Sequence, residues 1–226
     1  MPDPAPNPEL LKSLGRMVRG LSALFWGLPA ALIVCIGTGS AGWFQVYGLV
    51  PPVAATGLVA FGLWQLDSFQ KQERPWRNAL DRAKVFALIN LGLSPFVFWW
   101  NHEPDLFLFG ISVRVLALSA WFFLFSLNTV LVRLAAMLPD ETLRHETRQF
   151  TSLNRTLLLV LLLVIVLQVV VARVPQWPPQ FETFLIVWDR GGPWLLILLA
   201  LLPLAMTMAL VWKTKEVILD SVFGVK

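Results

Sequence analysis

The chain has 226 residues, of which 57% are hydrophobic and 14% are charged, and its mean hydropathy is +0.67. A soluble domain carries about 45–50% apolar and about 25% charged residues, and the apolar excess here falls into runs as long as a bilayer is thick. This excludes a soluble globular domain and a disordered chain. It also excludes a disulfide-rich secreted module, because Cys35 is the only cysteine.

The apolar runs predict six membrane-spanning helices. A helix rises about 1.5 Å per residue, so about 20 residues cross a hydrocarbon core of about 30 Å. The third and fifth runs are short, and the fourth is longer than a single crossing needs. We therefore expect an all-α, polytopic integral membrane protein whose six helices form three hairpins. In chain order the runs are Leu21–Gly37, Trp43–Leu66, Val85–Trp100, Leu106–Met137, Leu157–Ala172 and Trp194–Trp212.

The distribution of Lys and Arg predicts the orientation of these helices. With six spans, fifteen basic residues fall on the side of both termini, and only Arg173 and Arg190 fall in the opposite loops. Lys and Arg concentrate on the cytoplasmic side of membrane proteins, so both termini are expected in the cytoplasm, and the bias fits a bacterial inner membrane. The net charge of +4 then reflects topology and contact with anionic lipid rather than with nucleic acid.

Amphipathic segments precede the first, third and fifth spans and predict helices that lie in the inner interface. The first follows an Asn7-Pro8-Glu9 start and presents a Leu and Met face opposite its basic face. The basic residues expected to contact inner-leaflet lipid are Lys12, Arg16, Arg19, Arg77 and Arg82. The predicted organisation is a disordered Pro-rich tail (1–6), three units of inner helix plus hairpin (7–66, 67–137 and 138–212) and a cytoplasmic C-terminal tail (213–226).

The outer loop of the third unit, residues 173–193, is much longer than the other two. Within it Phe181, Phe184, Leu185 and Trp188 follow helical spacing, which predicts a short amphipathic helix ended by Gly191-Gly192. Such a helix rests on the outer leaflet in one interpretation. In the other it forms a surface for a partner, or a lid, since long loops are often functional.

Four polar residues in or near the spans form the candidate intramembrane site: Arg114, Asn90, Asn128 and Gln168. A charge in mid-membrane costs about 2.5–3.5 kcal/mol on insertion scales, but Arg114 also fits a boundary position from which it reaches outer acidic residues. Asn90 and Asn128 fall at matching depth on adjacent spans and are expected to meet. Of the kinks predicted at prolines, Ser94-Pro95 and Thr207 have hydroxyls placed to bond the freed carbonyls.

The sequence favours a non-catalytic protein, an accessory, scaffold or assembly subunit that works through protein and lipid contacts. Its expected partners are the bilayer with its anionic lipids and either other membrane protein subunits or further copies of itself, with no cofactor and no metal. His102 and His145 fall on opposite sides of the membrane, so they make no joint metal site. The alternative is a small transporter or channel lined by the four polar residues. A weaker alternative is an enzyme acting on lipid through His102, Glu103 and Asp105.

Overall fold

The computed structural model describes residues 8–40, 45–69, 72–138, 140–173 and 182–223, and these fold entirely into helices and short connections. This confirms the predicted all-α class. A short 3-10 helix, Gln45–Tyr47, precedes Gly48, whose φ of +63° favours glycine at the turn into α2. The helices are α1 (Pro8–Ser40), α2 (Val50–Leu66), α3 (Arg74–Leu93), α4 (Pro95–His102), α5 (Phe107–Met137), α6 (Glu141–Arg173) and α7 (Glu182–Phe223).

Within the described ranges, five helical stretches are long and apolar enough to cross a membrane. The second predicted span corresponds to α2, which has 17 residues and is shorter than these five. The chain is therefore suited to a multi-pass membrane protein. The five stretches are Lys12–Ser40, Arg74–His102, Phe107–Met137, Glu141–Val171 and Trp194–Asp220.

The three predicted interfacial helices are not separate elements. Each continues without a break into the span that follows it, so that α1 and α6 each run for 33 residues and α3 begins at Arg74. No proline interrupts the chain at these junctions, and helix propagation adds a hydrogen bond for each residue fixed. Moreover, the apolar face of the first segment packs inside the protein, because Met17 and Leu21 are fully buried.

The last helix also differs from expectation at both ends. Gly191-Gly192 does not end a separate helix, because α7 runs from Glu182 through both glycines to Phe223. A helical glycine costs only about 1 kcal/mol relative to alanine, which a long helix tolerates. Residues 213–223 of the expected tail continue α7, where Thr214 and Ile218 are buried one and two turns after Val211. The predicted disordered tail (1–6) lies outside the described residues.

Pro95 divides the third stretch into α3 and α4 at Ser94. Proline has no N–H, so it leaves the carbonyl of Leu91 without its helical donor. The hydroxyl of Ser94 donates to that carbonyl at 2.9 Å and also accepts from the Thr56 hydroxyl on α2 at 3.2 Å. The predicted compensation is present here. It is absent at Pro203, where Thr207 bonds the carbonyl of Pro203 itself at 2.8 Å rather than the one that the proline frees.

The core joins α1, α2, α3, α5 and the C-terminal half of α7 around buried Leu, Ala and Met side chains. The backbones of α1 and α2 approach closely at Gly20 and Gly62. A Cβ built on Gly20 would lie 2.7 Å from the carbonyl oxygen of Gly62. Glycine is therefore required at this crossing, in the manner of small residues at helix interfaces in membranes.

Candidate functional site

The buried polar centre of the bundle joins α5, α6 and α7 through Asn128, Asn154 and Thr207, none of which is exposed. The Asn154 amide donates to Oδ1 of Asn128 at 3.0 Å and to Oγ1 of Thr207 at 2.9 Å. The Asn128 amide donates to Oγ1 of Thr207 at 3.1 Å and to the carbonyl of Leu124 at 2.8 Å. Hydrogen bonds of this kind fix three helices in one register.

A line of buried polar side chains extends this centre along α6. Thr147, Thr151 and Asn154 are spaced by four and three residues, so they share one face of the helix, and all three are buried. Their side-chain oxygens have no hydrogen-bond partner within the described part of the chain. Buried polar atoms are usually bonded to protein or to ordered water, so this face has unused capacity for a polar ligand or for water.

Asn90 lies elsewhere, in the wall of a cavity of about 470 Å³. The cavity lies between α1 and α5 and is bounded by α2, α3, α4 and Leu204 of α7. Its walls are almost wholly apolar; the polar side chains among them are Cys35, Ser40, Thr56 and Asn90. Oδ1 of Asn90 is buried and has no donor among the described residues. A volume of this size is within the range of sites for small organic molecules.

The four residues of the predicted intramembrane site are therefore not gathered in one cavity. Asn128 bonds to α6 and α7 rather than meeting Asn90, and only Asn90 lines the large cavity. Arg114 is exposed two turns into α5, and Gln168 is partly exposed on α6. Glu103 and Asp105 form no ion pair with Arg114, and the side chains of Glu182 and Asp189 are not described.

The basic residues expected to meet lipid all lie exposed near the N-terminal ends of two helices. Lys12, Arg16 and Arg19 are on α1, and Arg77 and Arg82 are on α3. The predicted partner surface lies outside the description, because Phe181 is not described and the side chains of Phe184, Leu185 and Trp188 are not described within α7.

The residues of the weaker enzyme hypothesis, His102, Glu103 and Asp105, are exposed at the end of α4 and in the turn before α5. In the part of the chain that the structure describes, no group of three or more His, Cys, Asp and Glu side chains is placed to hold a metal ion.

Two residues of the polar centre, Asn154 and Thr207, were not part of the predicted site. Asn154 precedes Arg155 and Thr156 just before an apolar run, a context typical of an interfacial segment. A signal was nevertheless present, because Thr147, Thr151 and Asn154 repeat at helical spacing on the face that also carries Leu143 and Leu158. A polar stripe aligned with an apolar stripe indicates a buried polar contact.

The chain has no match among protein families, curated proteins or solved structures.

Proposed function

We propose that this chain is a non-catalytic integral membrane protein, an accessory, scaffold or assembly subunit that acts through protein and lipid contacts. The polar side chains buried in the described ranges are those of Asn, Ser and Thr. These uncharged groups bond between helices, as at Asn128 and Asn154, and such bonds hold a bundle together. This use of buried polarity supports a structural role for the membrane domain.

The topology in this proposal has six spans in three hairpins, with both termini in the cytoplasm at an inner membrane. The 17 residues of α2 rise about 26 Å, close to the thickness of the hydrocarbon core. Consecutive partners pack together, with α1 on α2, the α3–α4 pair on α5, and α6 on α7. The charge bias of the sequence supplies the orientation.

Cysteine labelling tests this topology. In a Cys35→Ala chain, we expect a membrane-impermeant maleimide to label His102→Cys in intact spheroplasts, and to label His145→Cys only after permeabilisation. Both histidines are exposed, so burial does not limit their reactivity. Equal labelling of both cysteines in intact spheroplasts would contradict the six-span topology.

The observation that carries the proposed function is the exposed apolar surface on the C-terminal half of α6 and the neighbouring part of α7. Within the described residues, these two stretches share a small core of Leu161, Val164 and Leu199. Many of the large side chains around this core are exposed, with Leu163 at 66% and Leu198 at 60% relative exposure. The apolar stretch of α6 is less buried than the other four stretches, and that of α7 is less buried than that of α5, which suits a surface for another membrane subunit.

The test is to solubilise the protein gently from its native membrane, with an affinity tag after Lys226, and to determine the mass of what accompanies it. We expect a stoichiometric partner. Leu163→Trp should remove that partner while remaining apolar enough to insert. Ile33→Trp on α1 is the matched control, because Ile33 is similarly exposed at 62%. A wild-type chain isolated alone, or equal loss of partner from both variants, would overturn the proposal.

A second candidate function rests on the cavity between α1 and α5, which favours a protein that binds or moves a small apolar molecule. Asn90 would give such a molecule a buried acceptor that has no donor among the described residues. Ala120→Trp would fill the cavity from its wall, whereas Leu118→Trp changes an exposed position on the same helix. If the cavity serves flux, only Ala120→Trp will abolish it in a chain that still folds.

A further inference from the structure

A second pocket, of about 330 Å³, lies along α6 against Val132 of α5 and is separate from the cavity at Asn90. Its α6 wall is formed by Arg148, Thr151, Ser152, Arg155, Thr156 and Leu159. These positions recur at helical spacing, so they form one stripe along the helix. The stripe contains two guanidinium groups and three hydroxyls, and no carboxylate is among the described residues that line the pocket.

Arg155 is held in place by two contacts with α5. Its Nη2 donates to Oγ1 of Thr129 at 3.1 Å, and its guanidinium lies 5.2 Å from the centre of the Phe125 ring. Its Nε is nevertheless buried and has no acceptor in the described part of the chain. A fixed guanidinium with an unused donor is suited to bind a phosphate or carboxylate oxygen.

Thr151 gives an independent indication of a ligand. Helical Ser and Thr hydroxyls usually bond to the carbonyl four residues earlier, as Thr156 and Thr129 do here. The hydroxyl of Thr151 has no partner among the described residues, although the side chain is only 2% exposed. It lines the same pocket as Arg148 and Arg155, which places an unpartnered hydroxyl group beside the two guanidinium groups.

The pocket also changes character along its length. Arg148 lies at the end nearer the start of α6, and Leu159 lies three turns further on, inside the apolar run that begins at Leu157. A free inorganic anion would contact only the basic end of the pocket. A molecule with a charged head and an apolar chain matches both ends, and basic pockets between membrane helices on the cytoplasmic side bind anionic lipid headgroups.

We infer that this pocket binds the phosphate of an anionic phospholipid, with Arg148, Arg155 and Thr151 on the headgroup and Val132 and Leu159 on the start of an acyl chain. The inference rests on the membrane placement proposed above, and it does not depend on a protein partner. Because the phosphate chemistry is shared with a free ion, the experiment separates the two sources.

The experiment uses the full chain in a neutral detergent and measures the number of bound lipids by native mass spectrometry, together with the melting temperature. The probes are phosphatidylglycerol, phosphatidylcholine of equal chain length, and inorganic phosphate alone. We expect saturable binding and a raised melting temperature with phosphatidylglycerol, and little effect of the other two. Inorganic phosphate binding as tightly as phosphatidylglycerol would overturn the assignment to lipid.

Three variants locate the binding site. Arg148→Gln should weaken phosphatidylglycerol binding about fivefold, and Arg155→Gln about tenfold or more. Thr151→Val should also weaken binding, while the melting temperature without lipid stays the same or rises, because an unbonded buried hydroxyl is removed. Arg133→Gln is the matched control, an exposed arginine of α5 that does not line the pocket.

Unchanged binding in Arg148→Gln and Thr151→Val would overturn the inference, as would an equal loss in Arg133→Gln. Arg148 is exposed, so its replacement leaves folding intact and keeps the test decisive if Arg155→Gln misfolds. Failure here is distinguishable from failure of the proposed function. The first is an absence of selective lipid binding by the purified chain, and the second is the absence of a co-purifying subunit.

Discussion

The side-chain amide of Asn154 lies 3.0 Å from the side-chain oxygen of Asn128, a contact between α5 and α6 with no exposed surface on either residue. Thr207 of α7 accepts from both amides. Each member therefore bonds both of the others, and removing one leaves buried polar atoms behind. This arrangement makes the three residues energetically dependent on one another.

We expect Asn154→Leu to lower the free energy of unfolding by about 1–2 kcal/mol, because Oδ1 of Asn128 then loses its donor from α6. The double variant Asn128→Leu, Asn154→Leu should cost less than the sum of the single changes. Reversible unfolding in mixtures of a mild detergent and dodecyl sulfate measures the free energy of unfolding of both single variants and of the double variant. Gln168→Leu, at a partly exposed position on α6, is the control, and we expect it to change the free energy little. Strict additivity of the two Asn replacements would show that the contact is not made.

The crossing of α1 and α2 gives a steric prediction. Gly20→Ala would place a methyl group 2.7 Å from a backbone oxygen of Gly62, which cannot move as a side-chain tip can. We expect a loss of about 1–3 kcal/mol, typical of overpacking, and a lower melting temperature.

The control for this crossing is Gly92→Ala, because a Cβ at that helical position meets no described atom within 4 Å. Removing a helical glycine there should raise stability by about 0.5–1 kcal/mol. If both replacements shift the melting temperature in the same direction, close packing at Gly20 is not the cause of its effect.

The sequence predicts the elements of this chain better than it predicts their contacts. Long apolar runs such as Trp194–Trp212 identify the membrane-capable helices because a bilayer demands a known length. The contact between Asn90 and Asn128 was expected from equal depth alone. Depth, however, does not fix the rotation of a helix about its axis. Rotation is decided by packing, and here the packing of α5 turns Asn128 toward α6 and α7 and leaves Asn90 at the cavity.

The sequence also could not show whether the amphipathic starts of α1, α3 and α6 are separate surface helices or continue into the spans. An amphipathic face with a basic side is typical both of a helix on a membrane and of a helix that packs on protein. The two differ only in what covers the apolar face. Met17 is covered by other helices of the bundle. The local periodicity of the sequence does not identify the residues that cover it.

The division between α3 and α4 at Pro95 predicts that the effect of replacing Ser94 depends on Pro95. Ser94→Ala removes the donor to the carbonyl of Leu91, and we expect a loss of about 0.5–1.5 kcal/mol. In a Pro95→Ala chain the new N–H can bond that carbonyl, so the same Ser94 replacement should cost less. The free energies of unfolding of the wild type, Ser94→Ala, Pro95→Ala and the double variant together give the coupling between the two positions.

Ser112→Ala is the matched control for Ser94. Ser112 is similarly buried and its hydroxyl bonds the carbonyl of Leu108 at 2.9 Å, but no proline removes the helical donor there. We expect Ser112→Ala to cost less than Ser94→Ala. An equal cost at both positions would contradict a specific role for Ser94 next to Pro95.

The connection between α2 and α3 is stabilised by Lys84, whose side chain is only 13% exposed. Its Nζ lies 2.7 Å from Asp67 just after α2, and 3.8 Å from Asp81 one turn earlier on its own helix. A shorter bond to a side chain on another element contributes more than a contact within one exposed helical turn.

We therefore expect Asp67→Asn to lower the free energy of unfolding by about 1 kcal/mol, and Asp81→Asn to lower it by about 0.3 kcal/mol. Because salt screens ion pairs, the difference between the two variants should shrink as ionic strength rises. An equal effect of both replacements at low salt would mean that Lys84 does not join the two helices through Asp67.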